Sequence, residues 1–212
     1  MRKLLICPFF GDLPSWWDQY EAQFPHLSEF GYDFLLDFDL DSFKQRVETI
    51  LGIDCPITYG SSKIHDYRPA LGLLYTKETQ EYGWWGHADF DCVWGRLDHF
   101  VTDDKLDVCD IWSDCSYDYV GGPFSIYRVG ATEDLFTLHP DWKNVLEAKE
   151  PTGWMEVFLS QTLKENARVT IEMHHAYSHP ETLVRHADFS LFHGREEISH
   201  YHANRTKEWP QL

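Results

Sequence analysis

The chain has 212 residues, 43% of them hydrophobic and 25% charged, which suits one globular domain with a sizeable core. With 35 Asp and Glu against 18 Lys and Arg, the formal charge is −17, which argues against a broad surface for nucleic acid or anionic lipid, since such binding needs clustered cations. The same acidity favours a site that recruits divalent cations.

The five cysteines (Cys7, Cys55, Cys92, Cys109 and Cys115) are odd in number and include no C-x-x-C. A disulfide framework or a structural zinc knuckle is therefore not expected. The opening "MRKLLICPFFGDLPSWW" has only a short apolar run, broken by Pro8, too short for a signal-peptide core or a membrane span. The expectation is a reduced, cytoplasmic setting with no transmembrane segment.

Residues 3 to 10, "KLLICPFF", read as a buried first strand ending at Gly11. "LPSWWDQYEAQFPHL" carries helix signals, with Ser15 as N-cap and apolar positions at Trp16, Trp17, Tyr20 and Phe24. "YDFLLDF" reads as a second strand. "DLDSFKQRVETILGI" reads as an amphipathic helix with Phe43, Val47, Ile50 and Leu51 on one face and Gly52 as its stop. A loop "YGSSK" precedes a helix from about Pro69, and "GWWGHADFDCVWG" is the next strand and its exit. A short helix and strands follow, "FSIYRV" the clearest, then helices over "HPDWKNVLEAK" and "TGWMEVFLSQTLKENA" and short strands from "RVTIEMHHAYS" onward. Alternating strands and helices predict an α/β domain with a mostly parallel sheet flanked by helices.

Asp89 and Asp91, in "WWGHADFD", call for an explanation. In an open α/β sheet, ligands bind beyond the carboxyl ends of the strands. Alternate residues of a strand share a side, and two neighbouring carboxylates repel unless a cation lies between them or one is protonated. A hard divalent cation, Mg²⁺ or Mn²⁺, resolves the repulsion and brings substrate phosphate with it. Gly86 and Gly95 flank the pair and would let backbone approach a ligand.

"KIHDYRPALGLLY" and "YGWWGHADFDCVWGRLDHFVTD" resemble a family of small bacterial and phage GT-A-type glycosyltransferase-like proteins, whose pattern is roughly K-x-[CH]-D-[FY]-R-P-A-x-G and then F-W-G-x-x-D-x-D. "KLLICPFFGDLPSWWDQY" is similar to that family's opening strand, Pro-Tyr-Phe-Gly loop and aromatic helix. "GGPFSIYRV" is similar to its G-H-F-x-x-Y-R-N strand, and "ISHYHANRTKEW" to its closing H-x-Q-K-R-K segment. Pro123 stands where the family has His, and Val129 where it has Asn.

The resemblance implies a single GT-A-like, Rossmann-like domain over residues 1–212 that transfers sugar from a nucleotide-sugar donor, a UDP-sugar, to an acceptor hydroxyl, with retention favoured. The acceptor would be a surface glycan or, in a phage setting, a modified DNA base. Asp89, Asp91 and His202 would hold Mn²⁺ or Mg²⁺ at the donor diphosphate, with Asp91 counted as catalytic. Arg205 and Lys207 would pair with phosphate, Asp66 and Arg68 would face the nucleotide or donor sugar, and the loop Pro8, Phe9, Phe10 and Gly11 would border the base. Glu150 and Glu156, near a Gly-Trp turn, are candidates for touching the acceptor hydroxyl.

Other readings compete. A non-catalytic nucleotide- or carbohydrate-binding protein would use the same fold. A phosphoryl-transferring or hydrolysing metalloenzyme would need more acids around a metal pair. His174, His175, His179, His186 and His193 raise a transition-metal site, but their spacings fit no recognised ligand set and H-E-x-x-H is absent.

Overall fold

The computed structural model describes residues 1–114, 119–154 and 158–172, and the strand backbones 183–185, 191–193, 196–198 and 200–202. Every residue of β1 (Lys3–Pro8) is buried, as suits the middle of a sheet covered on both faces. It pairs in parallel with β2 (Tyr32–Asp37) on one side and β3 (Trp84–Ala88) on the other. After β4 (Cys92–Trp94), the strands β5 (Ile111–Asp114), β6 (Phe124–Arg128) and β7 (Val169–Glu172) complete a six-stranded sheet of order β2-β1-β3-β6-β5-β7. β6 runs against β3 and β5, and the other strands of this sheet point one way. The predicted α/β architecture, with a mostly parallel central sheet flanked by helices, is what the chain adopts.

Strand alternation divides the core in two. Leu4, Ile6, Trp85, Ile111 and Tyr127 join one apolar cluster, and Leu5, Cys7, Trp84, Trp112, Phe124 and Ile126 join the other. Beyond the main sheet, β8 (Leu183–Arg185), β9 (Leu191–His193) and β10 (Glu196–Ile198) form a three-stranded antiparallel sheet. β11 (His200–His202) pairs antiparallel with β4. Among the described residues no helix is long and apolar enough to cross a membrane.

The first predicted helix is two helices, α1 (Trp17–Glu21) and α2 (Phe24–Glu29), and Trp16, not Ser15, occupies the cap of α1. Pro25 causes the break: it lacks an N–H and its ring would collide with the preceding turn, so it is accommodated in the first turn of a new helix. The third helix, α3 (Leu40–Leu51), follows its sequence signals closely. The Asp39 side chain accepts from the Ser42 N–H at 3.0 Å, and Gly52 stops the helix in the left-handed region at φ 65°. Phe43, Val47 and Leu51 are buried, whereas Ile50 is 43% exposed and lies off that face. The helix expected from Pro69 instead begins at Ser62 as a 3-10 helix, Ser62–Ala70, with Ser61 Oγ accepting from the Lys63 N–H. Later helices at Trp142–Glu147 and Ser160–Asn166 fall within the predicted segments.

Two glycines are fixed by packing. A Cβ on Gly86 would lie 2.4 Å from the Ser125 carbonyl oxygen, so this glycine admits the neighbouring strand β6 and not, as expected, a ligand. A Cβ on Gly72 would lie 2.3 Å from the Trp85 ring, which stacks on Tyr127 at 4.3 Å and donates to Thr132 Oγ1 at 3.2 Å. Because that ring is held on its other sides, Gly72→Ala is expected to cost about 1–3 kcal/mol, seen as a lower urea midpoint with an unchanged slope.

Candidate active site

β1 and β3 pair only over Lys3–Leu5 against Trp84–Gly86, while β1 continues along β2 to Pro8 and β3 continues along β6 to Ala88. The carboxyl ends of the two strands therefore part company. The chain passes from β1 to β2 on one side and returns to β3 on the other, so the parting lies at a topological switch point, where open α/β sheets bind ligands. A thiol crosses it: Cys7 Sγ donates to the Ala88 carbonyl at 3.5 Å, and burial pushes that thiol up to about 12, so it stays protonated.

A cavity of about 280 Å³ opens here. The end of β1 and the following loop supply Cys7, Pro8, Phe9, Asp12 and Trp16; β3 and its exit supply His87, Asp89, Phe90 and Asp91. Asp89 and Asp91 thus sit together at the mouth of the parting, but in the turn between β3 and β4, not in a strand. The strand alternation that the sequence suggested is not what unites them. A neighbouring cavity of about 350 Å³ shares Phe9, Asp12 and His65 and adds Phe10, Gly11, Ser61 and Ser62. Phe10 is largely committed to the core, 5.2 Å from Phe43 ring to ring.

The 3-10 helix forms the other wall, and its period of three separates two jobs. Lys63 and Asp66, one turn apart, face inward and are buried. Lys63 Nζ donates to Asp66 Oδ2 at 2.8 Å and to the Val145 carbonyl at 2.5 Å, and Asp66 also accepts from the backbone N–H groups of Thr152 and Gly153 at 2.8 and 3.1 Å. Trp154 Nε1 donates to the Asp66 carbonyl at 2.9 Å. His65 and Arg68, also one turn apart, face the cavity with Ile64. Arg68 donates to Asp89 and, at 3.1 Å, to the Gly122 carbonyl. Asp66, expected at the nucleotide, is thus an anchor outside the cavity wall, while Arg68 is in it. Asp66→Asn is expected to leave Lys63 buried without a counter-charge and to lower unfolding free energy by about 3–5 kcal/mol, measured by urea denaturation.

The remaining expected site residues are more scattered. Glu150 is exposed and meets the anchor only through its carbonyl, which accepts from Lys63 at 3.3 Å. Glu156, Arg205 and Lys207 lie outside the described residues, as do His174, His175, His179 and His186. The backbone of His202 lies opposite Cys92, the residue after Asp91. Among the described residues, no three His, Cys, Asp or Glu side chains are grouped to hold a metal. Asp89 and Asp91 nonetheless offer the hard oxygen donors that Mg²⁺ or Mn²⁺ takes when water and substrate phosphate complete its shell.

His65, His87, Trp16 and Phe90 are wall residues that the sequence did not single out. The Arg68 charge, followed by burial, pushes His65 down to about 4, against the pull of Asp89 and Asp91. Burial and then Arg68 push His87 down to about 3. Its Nε2 lies 3.2 Å from the Gly122 carbonyl, which can only accept, so the neutral ring carries its proton there. His87 Nδ1 and Trp16 Nε1 are both buried with no hydrogen-bond partner among the described residues.

Residues 5–202 match a family described only as a family of unknown function, DUF6625. The chain belongs to this family. No curated protein matches it. Among solved structures, this DUF6625 member is similar to one described as the crystal structure of a glycosyltransferase involved in the glycosylation of the major capsid of PBCV-1. The two are 11% identical, over 81% of this chain and 82% of that chain, with a TM-score of 0.49.

The buried histidine sets a pH dependence. With a folded pKa of about 3 against an ordinary 6.5, the unfolded chain holds one more proton between those values. Stability present above about pH 6.5 is therefore lost as pH falls towards 3, by up to about tenfold in the unfolding constant per pH unit. Urea unfolding across this range should show that slope in the wild type and a shallower one in His87→Gln.

Proposed function

We propose that this protein is a metal-dependent glycosyltransferase whose donor, a nucleoside diphosphate sugar of the UDP class, binds where β1 and β3 part. The observation that carries this reading is the meeting, at a switch point of a mostly parallel sheet, of two carboxylates, an arginine and aromatic walls. The likeness of the D-Y-R-P-A and W-G-x-x-D-x-D segments to glycosyltransferase-like proteins points the same way.

In this reading Asp89 and Asp91 hold Mn²⁺ or Mg²⁺, and His202, whose backbone pairs opposite Cys92, would be the further donor. When bound, the cation supplies electrostatic stabilisation of the departing diphosphate. Arg68 provides planar donors to phosphate oxygen. Phe9, Phe90 and Trp16 give apolar faces to a ring and exclude water from the diphosphate. His65 and His87 stay neutral at ordinary pH, so they act as hydrogen-bonding groups and add no charge. The acceptor is a hydroxyl of a glycan or another carrier, with Glu150 and Glu156 as candidates on its side.

A second reading, a nucleotide- or carbohydrate-binding protein without transfer, draws on the pairing of Asp89 with Arg68, which answers the carboxylate charge without a metal. Calorimetric titration of UDP and other nucleoside diphosphates with Mn²⁺, Mg²⁺ or chelator separates the two. The expected result is UDP binding that needs the metal and weakens by at least about tenfold in Asp91→Ala, together with slow hydrolysis of the matching UDP-sugar. Metal-independent binding without hydrolysis would favour the binding protein, and no nucleotide binding would remove the donor site.

A further inference from the structure

The Arg68–Asp89 pair has a consequence for the order in which ligands assemble. Arg68 reaches Asp89 from the 3-10 helix across the cavity, and its second anchor is the Gly122 carbonyl at 3.1 Å. Both side chains are mostly shielded, Arg68 12% and Asp89 16% exposed. The helix that carries Arg68 is fixed by the buried Lys63–Asp66 pair, and the guanidinium itself is held between Asp89 and the Gly122 carbonyl. Of the other titratable groups lining the cavity, Cys7 stays a neutral thiol, Asp12 and Asp91 are carboxyl groups, and His65 and His87 are neutral, so none adds positive charge. A monovalent cation therefore stands at Asp89, one of the two carboxylates where a divalent one would bind.

We infer that Arg68 is a built-in competitor for the metal position: it keeps a divalent cation from binding Asp89 and Asp91 alone and yields when a nucleoside diphosphate arrives to take its guanidinium. The inference rests on the proposed donor site. Two cations so close repel unless an anion lies between them, and a diphosphate offers oxygens to both. Metal and nucleotide then bind cooperatively, each raising the other's affinity by the same factor, as linkage requires. The cation enters with its substrate, and the empty site holds no tightly bound metal.

The test counts free Mn²⁺ by electron paramagnetic resonance against wild type, Arg68→Gln and Arg68→Lys, with and without UDP. Wild type and Arg68→Lys, which keeps the charge, should take up Mn²⁺ weakly until UDP is added. Arg68→Gln should bind Mn²⁺ alone about tenfold tighter or more, with a smaller gain from UDP. If Arg68→Gln and wild type bind Mn²⁺ alone equally while wild type still binds UDP with Mn²⁺, the competitor role is overturned and the donor site stands. If wild type binds no UDP but Arg68→Gln binds Mn²⁺ more tightly, the competitor role stands and the donor reading fails. Should Arg68→Gln not fold, tight Mn²⁺ binding to wild type or Arg68→Lys without UDP would by itself overturn the inference.

Discussion

A lysine and an aspartate out of contact with water, one 3-10 turn apart, set the geometry on which the cleft depends. Such a pair adds little net stability over a well-packed apolar pair, because both charges must be desolvated. What it fixes is position. Asp66 has four hydrogen-bond donors directed at its carboxylate and carbonyl, and the Lys63 ammonium has three acceptors, all but their mutual bond reaching the 145–154 segment. The helix cannot rotate without breaking several of these together. Because its period is three, fixing Lys63 and Asp66 inward also fixes His65 and Arg68 towards the cavity.

The sheet contributes the other half. β1 is the strand with parallel partners on both sides, and the parting of β1 from β3 creates the space that the helix then roofs. The buried thiol of Cys7 and the small side chain of Ala88 keep the base of the parting apolar, while the turn after β3 brings carboxylates to its rim. A segment that resembles one continuous family motif, "KIHDYRPA", is thus divided between scaffold and site residue by residue.

The alternation of strands and helices, the stop at Gly52 and the position of Asp89 and Asp91 at a strand exit were legible because each rests on local chemistry. The break between α1 and α2 was legible in principle from Pro25, but the apolar spacing around Trp17 and Phe24 outweighed it. The 3-10 helix was not legible. Its apolar residues do not follow the 3.6-residue period, and with a helix expected only from about Pro69, nothing separated Asp66 from Arg68, which the resemblance set together towards the nucleotide or donor sugar. Gly86 misled for a related reason: a glycine needed for close approach looks the same in sequence whether a ligand or a neighbouring strand is what approaches. His65 and His87 gave no signal among 12 histidines. What marks them is burial and the Arg68 charge, which only the fold brings together.

The pairing of β11 with β4 has a consequence in time. The strand beside Asp91 acquires its partner from residues 200–202, about half the chain length further on. At about 5–20 residues per second on a ribosome, β4 and the carboxylate turn wait many seconds for that partner, while β1, β2 and β3 are already available to pair. A nascent chain has therefore made every residue that lines the main cavity, Ile6 to Asp91, well before β4 gains its partner strand.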